Sequence, residues 1–128
     1  MKKFRILIVD DDNNLALLLE ARFKAADWDV STANSAAEAY RRFFKFKPHL
    51  VLTDIGIGAK NGLDLITRIR RRSGNIPTIY MTGDLGRYQS ALVAERKLHH
   101  AEVLEKPFRF NELMAIVSAQ LHGQQQAA

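Results

Sequence analysis

The feature that most constrains the fold of this chain is a regular alternation of short apolar runs with segments of helical periodicity. Five apolar runs have the length expected of strands. They cover residues 4–9, 28–32, 49–53, 76–81 and 101–104. Because apolar residues are nearly continuous along these runs, the pattern is typical of strands buried on both faces.

Five segments with helical spacing of apolar residues alternate with the strands. Three have clear stripes: Leu15, Leu18, Leu19, Phe23 and Ala26, then Ala36, Ala39, Tyr40 and Phe43, and finally Leu113, Ile116, Val117 and Leu121. Less regular stripes predict a third helix over residues 62–72 (Leu65, Ile66, Ile69) and a fourth over 84–97 (Leu85, Tyr88, Leu92). Residue signals agree: Ser35 with Glu38 predicts a capping box, and Gly74 predicts the end of the third helix.

Strict alternation of strand and helix favours a parallel sheet with right-handed crossovers. We therefore expect an α/β fold: a doubly wound five-stranded parallel sheet with helices on both faces. Five strands with five helices suit the flavodoxin-like order 2-1-3-4-5, which periodicity alone does not fix. The 128 residues fit one domain, which we place at residues 1–122. Residues 123–128 are predicted to be a flexible tail or the stump of a linker.

Composition excludes several classes of site. The chain has no cysteine, so it has no disulfide, thiolate zinc site or cysteine nucleophile. Its first apolar run is short and ends in three aspartates, which fits neither a secretory signal nor a membrane span. We therefore expect a cytoplasmic protein without membrane contact.

Basic residues are concentrated in two clusters, and the formal net charge is +5. The clusters are Arg41, Arg42, Lys45 and Lys47, then Arg68, Arg70, Arg71 and Arg72. Such groups can contact nucleic-acid phosphates, but solvated helix faces are the favoured interpretation. No aromatic residue is interleaved in the second cluster, and neither helix-turn-helix nor zinc-finger spacing is present. We therefore expect no direct DNA binding.

Charged and polar residues stand where the predicted strands end. Asp10, Asp11 and Asp12 follow the first strand, Asp54 the third and Thr82 the fourth, and Lys106 comes just after the fifth. In the expected strand order these ends are neighbours, and ligands of such sheets bind at this edge.

Three carboxylates at one edge repel each other by about 4 kcal/mol per close pair in a surface-like dielectric. Mg²⁺, a hard cation with oxygen ligands, would offset this repulsion. A carboxylate nucleophile, a metal, an ammonium group and a hydroxyl donor are together the parts that phosphoryl transfer requires.

Other interpretations of these motifs are weaker. Asp12 is best explained as a helix cap. A calcium loop is excluded because Leu15 and Ala21 occupy the positions of its glycine and glutamate. Gly56 and Gly58 lack the rest of a dinucleotide-binding fingerprint and indicate a loop, and the adjacent His99 and His100 indicate a surface pair.

Four sequence blocks together carry a resemblance to a known family. They are ILIVDDD at residues 6–12, LTD at 52–54, PTIYMTG at 77–83 and KPF at 106–108. In these blocks and their spacing, residues 4–122 resemble the receiver domain of response regulators. Each block alone is weak, but the set is specific.

The resemblance implies a role for each site residue. Asp54 would be the phosphoacceptor, and Asp10 and Asp11 would hold Mg²⁺ together with Asp54 and the carbonyl of Gly56. Thr82 and Lys106 would contact the phosphoryl group, and the peptide bond between Lys106 and Pro107 would be cis. The implied donor is a phosphohistidine on a histidine kinase or a histidine phosphotransfer protein. The phosphorylated domain would pass its signal to a downstream protein target. The resemblance is also compatible with a homodimer.

The chain also departs from the family pattern. Val103 stands where an aromatic switch residue is usual, so the route by which a phosphorylation signal would propagate is open. Ile57 and Gly58 replace a common Met-Pro pair, and Arg109 replaces a capping aspartate.

Two alternative functions follow. One is a receiver-like module that acts without phosphorylation. The other is an aspartyl-phosphate phosphohydrolase, which would need a second aspartate where this chain has Gly56. We expect a switch rather than a turnover enzyme.

Overall fold

The computed structural model describes residues 3–127, with side-chain environments for residues 3–121. Strands and helices alternate along the chain, with one short hairpin after the third strand. The elements are β1 (Arg5–Val9), α1 (Asn13–Ala25), β2 (Asp29–Ala33), α2 (Ala36–Phe46), β3 (Leu50–Asp54), β4 (Gly56–Ile57), β5 (Lys60–Asn61), α3 (Gly62–Ser73), β6 (Thr78–Thr82), α4 (Leu85–Leu98), β7 (Ala101–Glu105) and α5 (Phe110–Ala127).

The five longer strands form one parallel sheet in the order β2-β1-β3-β6-β7. Since β6 and β7 are the fourth and fifth long strands, the predicted order 2-1-3-4-5 is confirmed. Alternate side chains of the sheet pack into two cores. One core lies against α2, α3 and α4, and the other against α1 and α5. The fold places the carboxyl ends of β1, β3, β6 and β7 side by side.

The sequence signals at the helix ends are largely confirmed. The Asp12 carboxylate accepts from the backbone N–H groups of Asn14 and Leu15, and Ser35 Oγ accepts from that of Glu38 at 3.2 Å. Within residues 3–121, the Glu38 side chain pairs with Arg42 at 3.1 Å rather than with the backbone N–H of Ser35, so only the Ser35 half of the predicted capping box is confirmed. Gly74 ends α3 with φ of +84°, a conformation that glycine adopts at little cost.

Two of the predicted apolar stripes were too wide. On α1 the buried residues are Ala16, Leu19 and Phe23, whereas Leu18 is 55% exposed and Ala26 is also exposed. The reason is that α1 packs on one side against the sheet, so only a narrow stripe is covered. Leu85 on α4 is likewise exposed, because it opens the helix above the sheet edge.

The segment after Asp54 is more ordered than the predicted loop. Gly56 pairs with Asn61 and Ile57 with Lys60, which makes an antiparallel hairpin before α3. At the other end of the chain, α5 extends through Ala127, past the predicted domain end. Side chains from residue 122 onward lie outside the described residues, so the flexible tail stays a prediction. Within residues 3–127, no helix is both long and apolar enough to cross a membrane.

Candidate functional site

Three aspartates meet at the carboxyl edge of the sheet. Asp10 and Asp11 follow β1, and Asp54 is the last residue of β3. One carboxylate oxygen of each lies within 4.8 Å of the others. Asp10 is fully buried, Asp54 is half-buried and Asp11 is exposed, so the cluster reaches from the interior to solvent. The convergence predicted from the sequence is therefore present in the structure.

Lys106 supplies the positive charge of this cluster. Its Nζ donates to Asp54 Oδ2 at 3.0 Å and to Asp10 Oδ2 at 3.1 Å. Its backbone N–H donates to the Thr82 carbonyl at 2.8 Å, which holds the segment after β7 against β6. The peptide bond from Lys106 to Pro107 is cis, as the resemblance implied.

The electrostatics of Asp10 and Lys106 are coupled. Burial raises the pKa of Asp10, and the hydrogen bonds from the Asp12 N–H and from Lys106 lower it by less, so the net shift is upward. Burial lowers the pKa of Lys106, but its bonds to Asp54 and Asp10 outweigh burial, and its net shift is also upward. The lysine therefore stays charged beside the Asp10 carboxylate, which ionises at a cost.

Thr82 and Gly56 occupy the rim of the same edge. The hydroxyl oxygen of Thr82 accepts from the backbone N–H of Asp84 at 3.0 Å, which leaves its proton available to an acceptor. Gly56 begins β4, two residues after Asp54. The structure thus keeps every residue predicted for the site on the elements that border the carboxylates.

One contact at the site was not predicted. The backbone N–H of Gly58 donates to Asp11 Oδ2 at 2.8 Å, which ties the turn of the β4–β5 hairpin to the start of α1. Gly58 has φ of +59°, where a side chain is strained, so a glycine favours the turn. The sequence signal was the pair of glycines, which had indicated only a loop.

A buried polar network next to β6 was also missed. Tyr80 is fully buried, and its hydroxyl donates to Glu95 Oε1 on α4 at 2.7 Å. Arg70 on α3 donates to the same oxygen at 2.7 Å. Burial raises the pKa of Tyr80, as does the Glu95 carboxylate. The network joins α3, β6 and α4, and its only sequence signal was a tyrosine within an apolar strand.

Tyr80 lies directly beside Val103, the position where the aromatic switch was expected. The two are partners in the parallel pairing of β6 with β7. Val103 is partly buried against the core that contains Tyr80. Tyr80 is also two residues before Thr82, so both side chains leave the same face of the sheet.

The residues present fit a magnesium ion. The cluster offers three carboxylates, which are the oxygen ligands that Mg²⁺ prefers. Asp10 is completely withdrawn from water, and burial holds its pKa above the ordinary range, which an added cation would offset. An ion would add to the charge that Lys106 already provides.

Comparison with known proteins identifies the family of this chain. The family profile described as the response regulator receiver domain matches residues 6–118. This chain belongs to the response regulator receiver domain family, the signalling module of two-component systems.

Curated relatives include the DNA-binding transcriptional regulator NtrC of Bradyrhizobium sp. (strain RP501 Parasponia), 31% identical over 116 residues. Another is the transcriptional regulatory protein PrrA of Mycobacterium leprae (strain TN), 30% identical over 120 residues. Each match covers 91% of this chain but only 24% and 49% of the respective relative. The chain therefore spans a quarter to a half of the length of these relatives.

Solved structures show the same fold. The response regulator TrrA from Thermotoga maritima, solved in complex with Mg²⁺-BeF, is 30% identical with a TM-score of 0.78, over 91% of this chain and 98% of that one. A CheY-like receiver domain protein from Methanospirillum hungatei JF-1 has a TM-score of 0.89 at 22% identity, over 99% of this chain and 100% of that one. The second comparison concerns the fold alone.

Proposed function

We propose that this receiver domain is a phosphoryl-accepting switch in which Asp54 takes a phosphoryl group from a phosphohistidine in the presence of Mg²⁺. The observation that carries the proposal is the Asp54 carboxylate itself. It is half-buried, lies within 4.8 Å of two further carboxylates, and contacts an ammonium group at 3.0 Å. A signalling role, rather than conventional turnover, fits the family.

In the transfer step, an Asp54 oxygen attacks phosphorus, and the bond from phosphorus to the histidine nitrogen breaks. The bonding electrons return to the imidazole of the donor. Lys106 holds the attacking carboxylate through its bond to Oδ2, and its charge stabilises the anionic phosphoryl oxygens. The Thr82 hydroxyl donates to the product.

Asp10, Asp11, Asp54 and the carbonyl of Gly56 are the groups that we assign to Mg²⁺. When bound, the ion supplies positive charge that neutralises the transferred group and the clustered carboxylates. One oxygen of Asp11 accepts from the backbone N–H of Gly58, so the hairpin and a bound ion would share this side chain.

A groove beside the site supports a protein donor. It measures about 570 Å³ and is lined by side chains of α1, including Leu18, and by Lys106, Pro107 and Phe108. Leu18 is 55% exposed, so part of the groove wall is apolar and uncovered. A phosphohistidine-bearing partner would cover Leu18 while presenting its histidine to Asp54.

The Tyr80 network supports a route for the signal that does not need an aromatic residue at position 103. A shift of Thr82 towards a phosphorylated Asp54 would move β6, and Tyr80 connects β6 directly to Glu95 on α4. The surface of α4 would then change for a downstream protein target.

The proposal is tested by mixing the protein with Mg²⁺ and a small phosphodonor and measuring intact mass. We expect one added phosphoryl group, lost on removal of Mg²⁺ and in Asp54→Asn. Asp12→Asn is the matched control, because Asp12 caps α1, and it should label normally. Labelling that persists in Asp54→Asn contradicts the assignment, and absence of labelling in the unmodified protein favours a module that acts without phosphorylation. Multiple turnover on phosphate esters would instead indicate a phosphohydrolase.

A further inference from the structure

Basic residues of the two sequence clusters lie on two helices that pack side by side. Arg41 and Lys45 lie on α2, and Arg68, Arg71 and Arg72 lie on α3, which packs beside it. All five side chains are exposed. We refer to these five residues as the basic face. The only acidic residues on the two helices are Glu38, which is paired with Arg42, and Asp64.

Aromatic rings hold part of this face in place. The Arg68 guanidinium lies 4.7 Å from the centre of the Tyr40 ring, and that of Arg72 lies 4.9 Å from the Phe44 ring. Tyr40 and Phe44 belong to α2, so their contacts with the arginines of α3 could not be predicted from the sequence. A stacked guanidinium keeps its N–H edge free for an external anion, and its fixed position reduces the entropy lost on binding.

Within the described part of the molecule, the residues of the basic face form no ion pairs. Among residues 3–121, no acidic side chain lies within ion-pair distance of the basic face. Favourable interaction with the helix dipole accounts for basic residues in the last turn, such as Lys45 and Arg72. It does not account for Arg41 and Arg68, which lie about a turn earlier and on adjoining helices.

The composition of the face distinguishes a nucleic acid from an acidic protein. Protein interfaces need apolar anchors at their centre, whereas nucleic-acid interfaces are more polar and much more positive. The exposed large apolar side chains of the described residues lie elsewhere, for example Leu17 and Leu18 on α1 and Val93 on α4. The aromatic rings on the basic face lie under guanidinium groups. The face therefore fits phosphates better than a folded acidic partner.

We propose that the α2–α3 basic face binds the phosphate backbone of duplex nucleic acid without sequence preference. This revises our expectation of no DNA contact, because the missing aromatic residues are supplied by α2. The face lies on the carboxyl-terminal halves of α2 and α3, towards the sheet edge opposite Asp54. Binding should therefore need neither Mg²⁺ nor a phosphodonor, and it is independent of the function proposed above.

The test is fluorescence anisotropy of a labelled duplex of about twenty base pairs, measured at several salt concentrations with the unmodified chain. With three to five phosphates neutralised, the slope of log K against log salt should be roughly −3 to −4.5. Duplexes of different sequence should bind equally well. No detectable binding at low salt, or a slope near zero, overturns the proposal.

Paired variants locate the contact. Arg68→Gln with Arg72→Gln should weaken binding at low salt about tenfold and reduce the slope by roughly 2. The matched control is Arg22→Gln with Arg87→Gln, which changes the net charge equally and also removes two arginines stacked on rings, those of Phe110 and Tyr88. Equal loss in both pairs would mean that net charge alone drives binding, and that result overturns the proposal.

Two further arms complete the design. Arg41→Gln with Lys45→Gln changes only exposed side chains, so it reports on the same face if the first pair fails to fold, as judged by circular dichroism. It should also weaken binding, and unchanged affinity counts against the face. Polyglutamate is the competing probe: tighter binding of polyglutamate than of the duplex would assign the face to an acidic protein and refute the nucleic-acid proposal.

Discussion

Glu95 is the hub of the buried network, and its replacement by glutamine should destabilise the domain strongly. Its Oε1 accepts from both Tyr80 and Arg70 at 2.7 Å, and the side chains of Glu95 and Arg70 are only 14% and 15% exposed. Glutamine keeps the shape but removes the charge, which leaves the Arg70 guanidinium largely buried without a counter-ion. Hydrogen bonds to charged groups contribute about 1.5–3 kcal/mol each, so we expect a loss of about 2–3 kcal/mol.

Urea unfolding monitored by circular dichroism measures this loss, with Glu102→Gln as the matched control. Glu102 pairs with Arg96 at 3.4 Å, but those side chains are 41% and 59% exposed, so its replacement should cost at most about 1 kcal/mol. For a domain of this size, the Glu95 variant should melt roughly 6–12 °C lower. Equal stability of the two variants, or a loss below about 0.5 kcal/mol for Glu95→Gln, would show that the network is not coupled as the structure indicates.

Four further outcomes are expected. Burial raises the pKa of Glu95, but Arg70 and Tyr80 lower it more, so its net pKa is depressed. Its stabilisation is therefore present above the unfolded pKa and is lost as the pH falls through the lower folded pKa, and urea titrations should show the Glu95→Gln penalty vanishing in acid. Asp10→Asn should raise the free energy of unfolding without Mg²⁺, because a buried carboxylate with a raised pKa is removed. Calorimetry of the same variant should show that Mg²⁺ no longer binds, and a variant less stable than the unmodified protein contradicts the reasoning. Gly62→Ala would place its Cβ against the Asp54 carbonyl and 3.1 Å from Thr53 Oγ1. We therefore expect the free energy of unfolding to fall by about 1–3 kcal/mol and phosphorylation to be slower. Unchanged stability and rate would refute the steric reasoning. Leu18→Ser should slow transfer from a phosphohistidine protein but not from a small phosphodonor. Leu98→Ser, at an even more exposed position on α4, should slow neither.

Much of the fold was predictable because the pattern repeats. Buried parallel strands give nearly continuous apolar runs, and turn residues such as Ser35 and Gly74 mark helix ends with a direct physical cause. Leu18 on α1 was predicted to be buried but is exposed, because periodicity shows that a helix face is apolar and does not show which element covers it. The β4–β5 hairpin was missed because two-residue strands are too short for any period.

The cluster of Asp10, Asp11, Asp54 and Lys106 was predictable for a different reason. Each residue ends a strand or comes just after one, and the strand order brings these ends together. No comparable rule predicts contacts between side chains of elements that are distant in the sequence. Glu95 and Arg70 meet across α3 and α4, and Arg68 finds Tyr40 on another helix, so both pairings needed the three-dimensional packing.

The measurement that tests the central claim most directly is the location of the phosphoryl group. After reaction with a small phosphodonor and Mg²⁺, borohydride reduction converts an aspartyl phosphate to homoserine, which tandem mass spectrometry assigns to a single residue. We predict homoserine at position 54, none without Mg²⁺, and none at the neighbouring Asp10 or Asp11. Homoserine at another aspartate, or a phosphoryl group that resists reduction, would contradict the account.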